Sequence, residues 1–349
     1  MFIENLPEEK AYDCPSKAAF KNSDTGEETS YLEFFKMSSF LADFLFRQNS
    51  INRSDIVISD SDDELFNSAL FFACASTGAV FFSRGNASRE ECLSMKSKAS
   101  FGKGWIFPAS FNELGYKEGA APVSEVETYE HDPAIMIREE KGIFGIIPYS
   151  MLVCDSLSSM IRKKISSDDM SFSSLDFSKE DSFSSCFLPC LIAGGTVCTG
   201  KSPEKEKITI ASGDYGFWKA KSAPLDPEST KHSEFIIRNA DDISKAPEAK
   251  CIKPSYALKR AGLNAFRGTE LTCDGIRLGI PGYNMKAKIA GSNLEDAPEG
   301  RNGRLVMRGR NLFSGFYRNP AATSECLKKG WTDTGILACR KNGFFEITC

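Results

Sequence analysis

The sequence predicts an α/β protein in which two doubly wound sheet-and-helix lobes are followed by a small C-terminal β-rich lobe. The 349 residues are enough for two to three lobes. A strand, a helix and a second strand follow one another between residues 55 and 82, the spacing of a parallel sheet crossed by helices. From Gly275 onward, short strands alternate with turns rich in Gly, Asn and Asp. We expect the three lobes to span residues 1–130, 131–262 and 263–349.

The first lobe is predicted to begin with a β-hairpin at residues 17–30. Residues 31–47 place apolar side chains at helical spacing along one stripe, which predicts an amphipathic helix. The next helix is expected from Leu65 to Thr77. We expect it to be opened by Ser61, which stands three residues before Glu64 as in a capping box.

The two later lobes are predicted from short apolar runs and their glycines. Residues 187–197, which include Gly194-Gly195, predict a helix that turns sharply into a strand. In the second lobe we expect strands at 133–137, 172–177, 208–211 and 235–242, and a short helix at 257–261. In the β-rich lobe we expect strands at 280–289, 303–307 and 344–348.

Composition and charge exclude several classes of protein. The formal net charge of −4, with 26% charged residues, offers no basic patch for nucleic acid. No apolar run approaches the ~18 residues of a membrane span, and the N-terminus lacks a basic-then-apolar signal sequence. We therefore expect a cytoplasmic protein without a transmembrane segment.

The twelve cysteines are scattered along the chain, and none forms a Cys-x-x-Cys pair. The closest two, Cys186 and Cys190, lie in an apolar run. Since only His131 and His232 are present to complete a zinc site, we expect reduced thiols that are mostly buried.

The segment Leu263 to Glu270 carries the chemistry that the sequence suggests most directly. Thr269 and Glu270 place a hydroxyl beside a carboxylate, and this pair suits a polyphosphate with its Mg²⁺. The hydroxyl can bond a phosphate oxygen while the carboxylate holds the hard cation. Gly-Thr-Glu also occurs in ordinary turns, so both interpretations stay open at this point.

Several motifs follow in a fixed order. They are Phe266-Arg-Gly-Thr-Glu270, Glu299-Gly-Arg-Asn-Gly-Arg-Leu-Val-Met-Arg-Gly309, Gly315-Phe-Tyr-Arg-Asn-Pro-Ala-Ala-Thr323 and Trp331-Thr-Asp-Thr-Gly335. Taken together they resemble the adenylate-forming superfamily of acyl-CoA synthetases, acyl-carrier-protein synthetases, adenylation domains and luciferases. The resemblance implies a ligase that joins a carboxylic acid, fatty acids included, to ATP. The acyl group then passes from acyl-AMP to the thiol of CoA or of phosphopantetheine on an acyl carrier protein.

The resemblance also implies roles for individual residues. Thr269 would contact phosphate and Glu270 would hold Mg²⁺. Phe266 would flank the adenine, with Gly268 beside it. Lys141 retains the Lys-Gly step of the family's phosphate loop, and Asp333 is the carboxylate nearest to the family's ribose-binding position.

Four departures from the family pattern predict weakened chemistry. Arg138-Glu-Glu-Lys-Gly142 replaces the Ser/Thr/Gly-rich phosphate loop, and a solvated turn is the other interpretation of this stretch. Arg238 and its neighbours replace the glycines that pack against adenine and the acyl group. Ile336 replaces the ribose-binding Asp, and the family's small C-terminal domain is expected to be absent. Two hypotheses remain: a synthetase large domain with weakened or lost activity, and a non-catalytic relative that binds an acyl chain or a partner.

Overall fold

A computed structural model describes most of the chain. The described residues are 3–48, 50–85, 87–88, 90–92, 104–107, 128–214, 217–218, 230–238, 252–258, 260–272, 275–291 and 293–348. They form three sheets and the helices that pack against them. The predicted α/β class, with two sheet-and-helix lobes and a β-rich lobe, is confirmed.

Sheet I contains six strands in the order β18-β7-β6-β4-β3-β5. They are β3 Ile56–Ser59, β4 Val80–Ser83, β5 Gly104–Phe107, β6 Pro133–Glu140, β7 Ile143–Pro148 and β18 Gly315–Phe316. Strands β3 and β4 are parallel, and helix α3, Glu64–Thr77, connects them. The predicted strand–helix–strand unit is therefore confirmed. The predicted cap was wrong: Asp63, not Ser61, accepts the N–H groups of Leu65 and Phe66, because it directly precedes the first turn.

Sheet II contains seven strands in the order β12-β11-β10-β8-β9-β1-β2. They are β1 Ala18–Asn22, β2 Glu28–Ser30, β8 Met170–Ser173, β9 Thr196–Thr199, β10 Ile210–Gly213, β11 His232–Ile237 and β12 Ile252–Tyr256. All neighbours pair in parallel except the predicted N-terminal hairpin β1–β2, which joins the sheet through β9. Of the strand predicted at 235–242, the structure places residues up to Ile237 in β11, and residues 239–242 lie outside the described part.

Sheet III is the β-rich lobe, with eight strands that all pair in antiparallel fashion. They are β13 Phe266–Arg267, β14 Glu270–Thr272, β15 Gly275–Pro281, β16 Met285–Ala290, β17 Gly303–Gly309, β19 Leu327–Lys328, β20 Trp331–Lys341 and β21 Phe344–Thr348. Short turns of the kind that the sequence predicted connect β15 to β16 through Asn284 and β20 to β21 through Asn342 and Gly343.

Among the described residues, six α-helical stretches pack with the sheets, in addition to the short helical turns Ile3–Asn5, Phe44–Gln48 and Pro203–Lys205. The six are α1 Leu6–Asp13, α2 Tyr31–Asp43, α3, α4 Tyr149–Lys163, α5 with its adjoining segments Glu180–Ser182, Phe183–Phe187 and Leu188–Ala193, and α6 Pro320–Cys326. Helix α2 begins with a capping box in which Ser30 and Glu33 each bond the other's backbone N–H. Helix α5 ends at Gly194, whose φ of 77° lets the chain turn into β9, as the glycine pair predicted.

Sheets I and II share one hydrophobic core through a cluster of phenylalanines. Phe183 of α5 lies 5.0 Å from Phe71 of α3 and 6.1 Å from Phe81 of β4, measured between ring centroids. Phe177 and Phe187 extend the cluster, and all the ring pairs are tilted or edge-to-face. Because side chains from both lobes fill this core, their relative position is fixed by packing.

Sheets I and II each draw their strands from more than one of the ranges 1–130, 131–262 and 263–349. Strands β1 and β2 belong to sheet II, β6 and β7 to sheet I, and β18 crosses from the third range to pair with β7. Pairing of strands that are distant in sequence places them there, parallel for β1 with β9 and β6 with β4 and antiparallel for β18 with β7, and local patterns do not reveal this. The division into domains at 130 and 262 stays a prediction.

The helix predicted at 257–261 was wrong. Leu258 bridges Gly262 in antiparallel fashion, and Arg260 between them adopts a φ of 67°. A non-glycine residue with positive φ belongs to a turn and is incompatible with a helix.

We expected reduced, mostly buried thiols. The nine cysteines whose state the structure describes are all free, and seven of them are buried. Across the described part of the chain, no helix combines the length and apolar character needed to cross a membrane.

A buried ionic network holds α4 against sheet II. Glu234 of β11 is fully buried, with Lys163 Nζ 2.6 Å from one carboxylate oxygen and Arg162 Nη2 2.7 Å from the other. Ser212 and Ser255 donate further hydrogen bonds to the carboxylate. Burial alone would raise the pKa of Glu234, but the two cations outweigh it and hold that pKa well below its usual range.

We predict that Glu234→Gln lowers the free energy of unfolding by roughly 3–5 kcal/mol, because it leaves the buried Lys163 without a counter-charge. Glu28→Gln, which removes an exposed partner of Lys21, is the control and should cost at most about 1 kcal/mol. Urea unfolding followed by circular dichroism measures both. Equal losses in the two variants would contradict a structural role for the network.

Candidate functional site

Two adjoining cavities lie where the three sheets meet. The larger, about 490 Å³, opens between sheets I and III and is lined by Glu139, Arg260, Phe316, Asp333 and Ile336, among others. The smaller, about 80 Å³, lies between sheets I and II. It shares Glu139 and Arg260 with the larger cavity and adds Arg138, Lys179, Glu180, Asp181 and Arg238. Together the two cavities form the interlobe cleft.

The hairpin between β6 and β7 stands where the family resemblance places a phosphate loop. It turns tightly at Lys141 and Gly142, and Gly142 has a φ of 74°. The Gly142 N–H donates to Glu91 Oε1 at 2.8 Å, and Arg138 Nε donates to the same oxygen at 3.1 Å. The N–H groups of Ser88 and Gly142, together with Arg138, lower the pKa of Glu91 to about 2 against the effect of burial. The stretch is therefore an ordinary strand-connecting turn, and a carboxylate of the protein already occupies its donors.

Arg260 joins the hairpin to the other sheets. Its Nε and Nη2 both face the Glu139 carboxylate, at 3.1 to 3.4 Å. Its Nη1 donates to the Asp333 carbonyl at 2.8 Å, and the guanidinium lies over the rings of Phe313 and Phe316. Burial opposes the charge of Arg260, yet the hydrogen bond and charge of Glu139 outweigh burial and raise the pKa of Arg260.

Helix α4 holds the turn that carries Arg260 through the side chain of Asp155. Asp155, which is buried, accepts the N–H of Leu263 at 3.0 Å and that of Asn264 at 2.8 Å. The Asn264 side chain donates back to the Asp155 carbonyl at 3.0 Å. A Cβ at Gly262 would stand 2.8 Å from the Asp155 carboxylate, so this close approach requires glycine. Burial raises the pKa of Asp155.

A second internal ion pair lines the smaller cavity. Arg238, at the end of β11, makes a bidentate pair with Asp181 at the start of α5, with distances of 2.8 and 3.0 Å. Asp181 is buried, and its charge holds the pKa of Arg238 above the usual range despite burial. Glu180 beside it is also buried, and burial, followed by the charge of Asp181, raises the pKa of Glu180 to about 7.

The residues predicted to contact nucleotide are only partly brought together. Asp333 lines the cleft, where its carboxylate binds Arg304 at 2.6 Å and accepts the Gly335 N–H at 2.9 Å. Ile336, at the ribose position of the resemblance, also lines it and offers no side-chain acceptor. Lys141 is exposed at the tip of the hairpin.

The Phe266 to Glu270 segment lies on sheet III, apart from these lining residues. Phe266 is buried, with its ring 5.3 Å from that of Phe345. Gly268 is exposed with a φ of 80°, and Thr269 Oγ1 donates to the Leu278 carbonyl at 3.5 Å. The Glu270 side chain is 65% exposed and lies 3.5 Å from Arg277 Nη1. Their assignment to phosphate, adenine and Mg²⁺ stays a prediction.

The residues of the cleft do not fit a nucleotide triphosphate and its metal ion. The donor at Gly142 and the cations at Arg138, Arg238 and Arg260 are bound to Glu91, Asp181 and Glu139. Within the described ranges, no group of three or more His, Cys, Asp or Glu side chains is arranged to hold a metal ion. Phosphate oxygens would therefore have to displace carboxylates of the protein.

Sequence reasoning missed the pairing partners in this cleft. Arg260 and Glu91 were not singled out, and Glu139 was noted only as a negative charge. The one local signal was the adjacent charged pair Lys259 and Arg260 within the mostly apolar stretch from Tyr256 to Phe266. The partners are up to 121 residues apart in sequence, so no spacing rule reveals them.

We predict a pH-dependent stability that depends on Glu180. The folded chain binds this proton more tightly than the unfolded chain does. The contribution of Glu180 to stability is therefore complete below the unfolded pKa of ~4.3 and is lost as the pH rises through about 7. Asp181, Lys179, Glu139 and Arg238 face this group. Glu180→Gln mimics the neutral form, so its stability relative to the parent should rise by roughly 3 kcal/mol between pH 5 and pH 8.

Unfolding free energies of parent and variant at the two pH values measure this difference. Glu140→Gln, at the exposed end of β6, serves as the control and should keep the pH profile of the parent. Parallel profiles for the parent and Glu180→Gln would contradict the prediction.

Curated proteins match a short part of the chain. Feruloyl-CoA synthase from Amycolatopsis sp is 33% identical over 70 residues, which is 20% of this chain and 14% of that protein. A long-chain-fatty-acid–CoA ligase from Escherichia coli is 32% identical over 71 residues, 20% of this chain and 13% of that protein. One from Haemophilus influenzae is 40% identical over 60 residues, 17% of this chain and 11% of that protein. The matched segments thus span less than a sixth of each relative, and no protein-family model matches the chain.

Solved structures match the whole fold. MatB from Rhodopseudomonas palustris superposes in its apo form with a TM-score of 0.82 and 16% identity, over 99% of this chain and 78% of that one. MatB has also been solved with ATP bound. The N-terminal domain of FACL13 from Mycobacterium tuberculosis gives a TM-score of 0.79 and 16% identity, over 100% of both chains. The structural likeness establishes the fold, and the sequence matches relate the chain to CoA ligases. The chain therefore has the fold of these adenylate-forming enzymes and is similar in sequence to CoA ligases over about a fifth of its length.

Proposed function

We propose that this chain is an acyl-CoA synthetase-like large domain in which ATP-dependent activation of a carboxylic acid through acyl-AMP is weakened or lost. One observation carries the proposal. The backbone donor at the tip of the β6–β7 hairpin and two cations that line the cleft are bound to carboxylates of the protein itself. Glu91 binds Gly142 and Arg138, and Glu139 binds Arg260. A triphosphate would meet these carboxylates as like charges.

The size of the effect follows from the bonds that are missing. A hydrogen bond to a charged group contributes about 1.5–3 kcal/mol. Losing two of them therefore weakens binding by at least about 3 kcal/mol, which is more than about 100-fold in Kd. Ile336 removes a further acceptor at the ribose position. ATP turnover is accordingly the step that we expect to suffer first.

The remaining roles follow the family. The substrate would be a fatty or aryl carboxylic acid, and the acceptor would be the thiol of CoA or of phosphopantetheine on an acyl carrier protein. The relatives named above support CoA as the acceptor, while the carrier protein and a cytoplasmic location stay predictions. Thr269 and Glu270 would contribute any residual phosphate and Mg²⁺ contacts.

A second candidate function is that of a non-catalytic relative that binds an acyl chain or a protein partner. The Arg238–Asp181 pair favours it, because this pair fills the position where the family resemblance places glycines against adenine and the acyl group. The two candidates differ in whether any ATP–pyrophosphate exchange takes place.

ATP–pyrophosphate exchange with a panel of fatty and aryl acids tests the proposal. We expect exchange at or near background with every acid. Thermal unfolding with ATP·Mg²⁺ provides an independent readout, because ligand at ~100 times its Kd stabilises a folded protein by about 2.7 kcal/mol. We expect a much smaller effect here.

Glu270→Ala is the matched variant for both measurements. If exchange is weak but real, this substitution should abolish it, and the catalytic form of the proposal stands. A large stabilisation by ATP·Mg²⁺ that Glu270→Ala removes would overturn the view that the nucleotide site is weakened.

A further inference from the structure

We propose that Arg260 is an anion-binding residue that Glu139 caps from within the chain. The interlobe cleft then accepts the carboxylate of an apolar ligand only when the Glu139 carboxylate moves aside. This inference rests on the proposed function in one respect, namely that the cleft is the ligand site. It adds the contact that closes the cleft and the class of ligand that would open it.

The guanidinium of Arg260 presents a two-pronged donor to Glu139. Nε and Nη2 both point at the carboxylate, whereas Nη1 is used by the Asp333 carbonyl and by Cys326 Sγ at 3.4 Å. Two parallel N–H donors are the arrangement with which arginine binds the carboxylate or phosphate of a ligand. In this protein, the Glu139 carboxylate occupies the position that a ligand carboxylate or phosphate would take.

Contacts independent of Glu139 hold Arg260 in position. Its backbone carbonyl accepts the Phe313 N–H at 3.0 Å, and the Phe313 and Phe316 rings flank its guanidinium. Its φ of 67° is a strained conformation for a residue with a side chain, and such strain persists where the surrounding structure fixes it. The donor pair therefore stays in place when Glu139 leaves.

A register shift in the β6–β7 hairpin positions the Glu139 side chain. The register of β6 against β7 shifts between Arg138 and Glu140, so Glu139 has no partner in the ladder. A bulge of this kind re-aims a side chain, and here it accompanies a carboxylate directed at the cleft. Gly145 on β7 leaves room for the carboxylate, since a Cβ there would lie 3.1 Å from Glu139 Oε1.

The lining of the cleft favours a carboxylate on an apolar body. Phe316, Ile336 and Leu337 supply apolar walls within the volume of about 490 Å³. Glu140 and Glu325 also line the cleft, so a polyanion such as pyrophosphate meets more repulsion than a single carboxylate does. The Nε and Nη2 donors of Arg260 already bind one carboxylate, that of Glu139, and a ligand carboxylate would make the same contacts.

The test is rescue of stability by an external carboxylate. Thermal unfolding of Glu139→Gln, with benzoate as the probe and chloride at matched ionic strength as the reference, measures the affinity for the anion. We expect this variant to unfold at a lower temperature than the parent without benzoate. Benzoate should restore part of the loss, with an apparent Kd at least about tenfold lower than for the parent, because the tethered competitor is gone.

Two further variants control for trivial effects. Glu130→Gln, which breaks an exposed pair with Arg310 away from the cleft, should respond to benzoate as the parent does. The double variant Glu139→Gln/Arg260→Met should not respond. An equal response of the double variant, or no gain for Glu139→Gln, would overturn the inference. A larger response to pyrophosphate than to benzoate would overturn the choice of a carboxylate ligand.

Gly145→Ala covers the case in which Glu139→Gln does not fold. The added methyl group crowds Glu139 while keeping its charge, and it should raise benzoate affinity in the same direction. No gain in this variant would count against the inference. The outcomes are separable from those of the proposed function: a large stabilisation of the parent by ATP·Mg²⁺ that Glu270→Ala removes would overturn the proposed function and leave the rescue result unaffected.

Discussion

The Arg260–Glu139 pair is the contact through which the three sheets of this protein meet. Arg260 leaves the end of sheet II, its guanidinium binds a carboxylate of sheet I, and the same group donates to the Asp333 carbonyl of sheet III. The Glu139 side chain is 7% exposed and that of Arg260 is 19% exposed. Removing either charge would therefore leave the other poorly solvated, which is costly. The geometry of the interlobe cleft depends on both charges being present.

The same principle recurs around the cleft. Glu91 binds the hairpin donor at Gly142, and Asp181 binds Arg238, so both of these groups pair with a carboxylate of the chain. An enzyme that binds a polyphosphate leaves such groups for its ligand. In this protein, carboxylates of the chain supply these counter-charges, and an unpaired charge in a half-buried site would be unfavourable. This ligase-like fold is thus compatible with a cleft whose charged groups pair with one another.

Much of the architecture was predictable, because it depends on local patterns such as the spacing of apolar residues and the lengths of successive elements. Apolar spacing predicted α2, and the strand–helix–strand unit around α3 followed from element lengths. The predicted turn at Gly194 also lies where expected. Local reasoning failed where a distant contact decided the outcome. Residues 257–261 have the composition of a short helix, but Asp155 of α4 holds the following turn, and Arg260 adopts a positive φ. The roles predicted for Thr269 and Glu270 stay predictions.

By itself, the sequence determined the fold class, the superfamily resemblance and the departure of residues 138–142 from the phosphate-loop pattern of that superfamily. Each of these depends on residue types at short spacing, and short-range sterics and hydrophobic periodicity act on neighbours. Only the tertiary structure decided which charges neutralise one another. Glu139 and Arg260 are 121 residues apart, and Asp181 and Arg238 are 57 apart. Electrostatic pairing depends on distance in space, which parallel strand order and helix packing set, and no local pattern encodes it.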